Sequence, residues 1–184
     1  MRPSEARQLA EGCLIDSHPR RWRHVEGVAA RAQRLTNDVD ENPLVSAAWL
    51  HDIGYAPTVA YTGLHALDGA AWLASRNVDP MVVSLVAFHT GAEFEADERA
   101  LLGELMAYAR PPQQLLDTLI LCDLTVSPVG TDTGVADRIA EIVARYGTSD
   151  PVHRAVLKSS EYLFACCARA ASRTSAEEWG VAVL

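Results

Sequence analysis

Apolar residues recur along this chain at the three-and-four spacing of helices, and the period-two alternation of a half-buried strand is absent. Asn42-Pro43, Asp79-Pro80 and Asp150-Pro151 each precede such a stretch, the pattern of an N-cap followed by a first-turn proline. Ser17 with Pro19 predicts one more helix start, and Gly54, Gly91 and Gly147 stand where helices are expected to stop. The spacing predicts helices over about 3–15, 19–38, 43–53, 64–76, 80–89, 111–126, 134–146 and 151–173. Residues 92–110 read as less regular, and 54–63 and 127–133 as loops rich in Gly, Pro and Thr. The expected fold is all-α, a compact multi-helix bundle. Without repeats, low-complexity tracts or a linker, the chain is expected to be a single domain over 1–184. Its core covers about 17–130 and its C-terminal helices about 131–173, with a loose tail or partner-facing extension over 174–184.

The same stripes carry residues that do not belong in a core. Val45, Ala48 and Trp49 lead to Asp52; Leu116, Leu119 and Ile120 lead to Asp123; Val82, Leu85 and Val86 lead to His89; and His24 shares a face with Val28 and Leu35. A buried, unpaired carboxylate costs several kcal/mol, so two of them on core-facing stripes imply cations inside the protein. Lys158 is the single lysine, and no arginine falls at an obvious core position. Metal ions are therefore the expected partners.

Composition narrows the setting. With 184 residues and 49% of them hydrophobic, the chain is long enough for one sizeable core. The N-terminal run interleaves charges with apolar residues, unlike a signal peptide or membrane span, so a cytoplasmic protein with no membrane partner is expected. Cys13, Cys122, Cys166 and Cys167 lack metal-site spacing and read as reduced, mostly buried thiols. A net charge of -8 argues against a polymeric nucleic-acid partner. It leaves a small phosphate-bearing substrate open, since a metal supplies local positive charge.

Helix-length arithmetic asks whether the ionisable groups meet. If 19–38 and 43–53 form an antiparallel hairpin, His24 lies roughly 21 Å from the turn and His51 roughly 14 Å, at one end of the pair. In the hairpin of 64–76 and 80–89, His65 lies roughly 17 Å and His89 roughly 14 Å from the turn, again sharing an end. Asp123, near the end of its long helix, closes the shell from the other side. His18 and His153 lack such context and read as surface or capping residues. Asp68, one turn after His65, is either a surface group or a carboxylate that orients the His65 imidazole, and with Asp52 it is a candidate catalytic residue.

RHVEGVA around His24, LHDIG containing His51 and Asp52, and LCD ending at Asp123 resemble the ordered H…HD…D signature of the HD-domain metal-dependent phosphohydrolase superfamily. LHALDGAAWL and LVAFHTG resemble the bacterial branch that hydrolyses dinucleoside polyphosphates and related nucleotides. The resemblance spans roughly 17–130 and implies an HD-domain bundle with one or two divalent transition-metal ions, Fe, Mn, Zn or Co. It implies that His24, His51, Asp52 and Asp123 hold one ion, that Asp52 also bridges to a second held by His65 and His89, and that metal-activated water is the nucleophile. The block Arg20, Arg21 and Arg23 before His24, and Thr90 after His89, are candidates for holding a substrate phosphate. An HD-fold di-iron oxygenase and a non-enzymatic nucleotide-binding sensor are the alternatives, and a homo-oligomer is open.

Overall fold

The computed structural model describes residues 1–36 and 42–174. Its helices are α1 (Pro3–Leu14), α2 (Pro19–Arg34), α3 (Pro43–Leu50), α4 (His65–Ala74), α5 (Pro80–Phe88), α6 (Ala92–Glu98), α7 (Leu102–Leu105), α8 (Gln113–Leu124), α9 (Val135–Arg145) and α10 (Pro151–Ala171), with short 3-10 turns at Ile53–Tyr55 and His89–Gly91. Among the described residues β structure is limited to an isolated bridge between Val126 and Asp132. The expected end of the second helix at 37–38 and the expected tail over 175–184 lie outside the described residues.

The Asx-Pro starts work as caps. The side chains of Asn42, Asp79 and Asp150 accept from the backbone N–H of Leu44, Met81 and Val152 at 2.9, 2.7 and 2.8 Å, satisfying helix-end donors that otherwise lack partners. Ser17 does not cap α2. Its hydroxyl donates to the Cys13 carbonyl at 2.8 Å, closing α1 instead, and His18 stands at the cap position without a side-chain bond.

Three helices make the interior. In α3 every residue from Leu44 to Leu50 is buried, in α5 every residue from Val82 to Phe88, and α8 is buried over most of its circumference. Such all-round burial needs neighbours on every side. α1 packs Ala6, Ala10 and Leu14 inward beside α3, and α2 joins α3 through Trp22 stacked on Trp49 at 5.7 Å. α4 pairs with α5, and the long α10 lies across α6, α8 and α9. The expected hairpins α2–α3 and α4–α5 are both present.

Two helices end earlier than their periodicity suggests. α3 stops at Leu50 and α5 at Phe88, so His51 and His89 are C-cap residues, and Asp52 lies beyond the helix with φ -98° and ψ 7°. The break after α3 lets the chain turn onto α4. A Cβ on Gly54 would stand 1.9 Å from the His65 carbonyl oxygen, so only glycine permits this approach. Gly130, at φ +83°, is held against the Arg23 carbonyl in the same way and seats the 126–132 loop on α2.

Candidate metal centre

The C-terminal ends of the three interior helices converge, which gathers partial negative charge at one point of the core. α3 and α5 finish alike. The Nδ1–H of His51 donates to the Ala48 carbonyl at 2.8 Å, and that of His89 to the Val86 carbonyl at 2.6 Å. Each satisfies a helix-end carbonyl three residues back and fixes the tautomer, so Nε2 carries a lone pair aimed inward. His24 is anchored likewise, donating from Nδ1 to the Ser127 carbonyl at 3.1 Å.

All six expected ligands come together. The rings of His24, His51, His89 and His65 form a contiguous row with neighbouring centroids 5.4, 5.2 and 5.0 Å apart. Two sets of ligand atoms result, His24 with His51 and Asp123, and Asp52 with His65 and His89, the atoms of each lying within 4.8 Å of one another. The Asp52 carboxylate faces both. Its Oδ2 is 3.4 Å from His51 Nε2 and 3.8 Å from His24 Nε2, while Oδ1 is 3.6 Å from His65 Nε2.

The electrostatics favour a cation. Burial, and for His65 also the neighbouring His89, pushes the His51 and His65 imidazoles below their ordinary range, keeping them neutral. Burial alone would raise the two aspartates. Against it, Arg21 and the histidines hold Asp52 ionised, and His24 does the same for Asp123. His51 Nε2 is buried without any hydrogen-bond partner. With its Nδ1 proton used on Ser127, His24 presents Nε2 to Asp123 Oδ1 at 2.9 Å, and His89 Nε2 meets His65 Nε2 at 3.0 Å. At His24 this points a lone pair at a carboxylate, whereas a neutral His65 can donate from Nε2 to the lone pair of His89. An extra ring proton or a cation is the remedy at His24, and the orphaned His51 nitrogen fits a cation or a donor that the described residues do not supply.

The remaining expected site residues divide. Arg21 reaches Asp52 Oδ2 at 2.6 Å and lies over the Tyr55 ring at 3.5 Å, whereas Arg20 lies in an outer groove and Arg23 is exposed and lines neither hollow. The Thr90 hydroxyl donates to Asp123 Oδ2, from a backbone at φ +51° that a β-branched residue seldom adopts. Thr90 thus serves Asp123 directly. Asp68 is a correction. Its carboxylate accepts from the N–H groups of Tyr61 and Thr62 at 2.8 and 3.0 Å and from the Thr62 hydroxyl at 2.6 Å. With the Gly63 N–H donating as well at 3.3 Å, three successive loop N–H groups converge on it, so it fastens the loop before α4 and its oxygens are taken up there. The expected absence of core arginines is also overturned. Arg31 and Arg138 are 4% and 7% exposed, and Lys158 pairs with Glu98 at the surface.

A hollow of about 80 Å³ lined by His24, Asp52, His65, His89 and Asp123 is also lined by Tyr55, Arg138, Arg145 and Tyr146, and it shares wall residues with a groove of about 570 Å³. Tyr55 stacks on His65 at 4.2 Å. Sequence reasoning missed these four. Arg138 was within reach, since it interrupts the Val135, Ile139, Ile142 stripe as Asp52 and Asp123 interrupt theirs.

The family model of the HD domain matches residues 21–124, a span that contains all six clustered residues. This chain belongs to the HD-domain family. HD domains bind divalent metals, and the two residue sets here are suited to hold them. This HD-domain protein is 37% identical over 83 residues to the tRNA (cytidine(56)-2'-O)-methyltransferase of Picrophilus torridus, covering 44% of this chain and 24% of that one. The protein of the same name from Thermoplasma volcanium is 37% identical over 79 residues, covering 43% and 22%. The HD-domain chain thus spans about a quarter of the length of these curated relatives. No solved structure matches it. No helix among the described residues is long and apolar enough to cross a membrane.

Proposed function

We propose that this protein is a metal-dependent phosphohydrolase that cleaves a phosphoester or phosphoanhydride of a small nucleotide-like substrate. The Asp52 carboxylate, turned with one oxygen toward each residue set, carries this reading. In it, His24, His51, Asp52 and Asp123 hold one ion and Asp52, His65 and His89 a second, with iron, manganese, zinc or cobalt all compatible with mixed imidazole and carboxylate donors. When bound, such ions acidify water toward neutral pH and neutralise phosphoryl oxygens.

The chain's own residues supply orientation and binding. Backbone carbonyls fix three of the imidazoles, Thr90 fixes Asp123, and Arg21, held flat on Tyr55, presents its fork of donors to a phosphoryl oxygen. Among the described residues a covalent route finds no activated thiol or free serine at the hollow. Burial pushes the Cys122 and Cys166 thiols up to about 12 and about 11. Ser159, at the hollow's wall, donates to the Val156 carbonyl. The relatives' name concerns methyl transfer to tRNA. Methyl transfer is not carried over, because the match spans about a quarter of each relative and the net charge of -8 offers no broad phosphate-binding face.

The test is metal analysis of protein purified without chelator, followed by phosphate-release assays over nucleotides and dinucleotides with several divalent ions. Bound transition metal and metal-dependent phosphate release are expected. Protein that retains no metal and that no ion activates overturns the reading, and oxygen consumption by an iron-loaded form points to the di-iron alternative.

A further inference from the structure

Beyond residues 21–124, where the HD-domain match ends, α9 brings a second set of charges to the mouth of the metal centre. Arg138 is 7% exposed, lines both the inner hollow and the outer groove, and has a buried Nε with no hydrogen-bond partner. Its Nη1 donates to Glu141 Oε2 at 2.5 Å. Arg145 grips the same carboxylate, from Nη2 at 2.5 and 2.6 Å and from Nε at 2.9 Å. Across the groove stand Arg20 and Arg21 from α2. Among the residues lining the groove, four arginines therefore meet one carboxylate, Glu141, with only Arg21 paired elsewhere, on Asp52, in a chain whose net charge is -8.

This imbalance is unusual in physical terms. A buried guanidinium N–H left unpaired is costly, and one half-exposed glutamate cannot saturate the forks of two arginines that each carry five donors. A phosphate group, with more acceptor oxygens and more charge, matches those forks better than a carboxylate does. The groove and the inner hollow share the walls formed by Arg21, His24, Arg138 and Arg145, so an occupant of one adjoins an occupant of the other.

We propose that Arg138 and Arg145, facing Arg20 and Arg21, form a second anion subsite that takes a phosphate group lying next to the one at the metal centre, with Glu141 as the resident counter-ion that this phosphate displaces. The preferred substrate then carries at least two adjacent phosphates. The assignment of the occupant rests on the phosphohydrolase reading, whereas anion binding at α9 does not.

Calorimetric titration of the metal-loaded full chain with α,β-methylene-ADP, whose bridging carbon resists hydrolysis, and with AMP, both in excess divalent ion, tests this. Arg138→Gln and Arg145→Gln are each expected to weaken the diphosphate about tenfold and AMP about twofold or less, a difference near 1 kcal/mol. Glu141→Gln is expected to tighten the diphosphate about threefold. If Arg138→Gln does not fold, the more exposed Arg145 and Glu141 variants decide alone. Absence of diphosphate binding to the unaltered chain, unchanged diphosphate affinity in the arginine variants, or equal losses for both ligands overturns the subsite. Phosphate release without this pattern removes the subsite and leaves the hydrolase reading, and the pattern without any phosphate release does the reverse.

Discussion

At the residue scale, the centre depends on where each imidazole spends its Nδ1 proton. His24, His51 and His89 give theirs to backbone carbonyls, leaving Nε2 as a fixed acceptor, turned toward Asp52 and Asp123 in His24 and His51 and toward His65 in His89. His153 shows the contrast. Its Nδ1–H donates to the carbonyls of Val143 and Tyr146 at 3.1 and 3.0 Å, closing the end of α9, and it belongs to neither set of ligand atoms. Asp52→Ala is therefore expected to abolish metal retention, measured by elemental analysis, and with it phosphate release. His153→Ala is expected to keep the metal content and lose about 1 kcal/mol of stability in denaturant unfolding, the cost of one net hydrogen bond. Equal metal loss in both variants refutes the ligand assignment.

At the element scale, the site exists because α3 and α5 stop where they do. Gly54 lets the turn after α3 lie against the first residue of α4, with a hypothetical Cβ only 1.9 Å from the His65 carbonyl oxygen. Gly54→Ala is expected to displace α4, destabilise the chain by about 3 kcal/mol or more and reduce metal stoichiometry. A crystal structure of the variant with α4 unmoved contradicts this. The clasp between α8 and α10 is electrostatic. Burial tends to raise the Asp117 carboxyl, yet hydrogen bonds from Arg169, Gln113 and Arg173 outweigh it and hold the group below the usual carboxylate range. A folded-state pKa below the unfolded one contributes stability that is present at neutral pH and is lost as pH falls below about 4. Asp117→Asn is expected to unfold more easily at pH 7 and to lose less stability than the unaltered chain between pH 5 and 3. Parallel stability curves against pH exclude the clasp.

At the scale of the whole molecule, four imidazoles and two carboxylates collected by helices from across the chain make metal binding a folding term. Ions that bind only the folded state at a hundred times their Kd add about 2.7 kcal/mol, which for a chain of this size is a shift of about 5–10 °C. Chelator treatment is expected to lower Tm by that amount, and re-addition of manganese or iron to restore it. An unchanged Tm means that no ion resides there.

Much of this was legible in the sequence, because local physics governs it. Apolar periodicity sets the helices, Asx-Pro pairs set three of their starts, and ionisable groups on the stripes of Asp52, His89 and Asp123 announce a charged centre in the core. The hairpins correctly paired His24 with His51 and His65 with His89, since short turns leave little choice of partner. Only the tertiary structure decided the rest. Which way a carboxylate turns depends on who arrives across the core, so Asp68 binds its own loop while Asp52 faces both residue sets. Long arginine side chains reach well beyond the positions that hydrophobic spacing assigns them, which is how Arg21 comes to lie on Asp52 and Arg138 beside the hollow. The chain by itself determined that charged groups would be buried together; the packing of α2, α8 and α9 determined which of them meet.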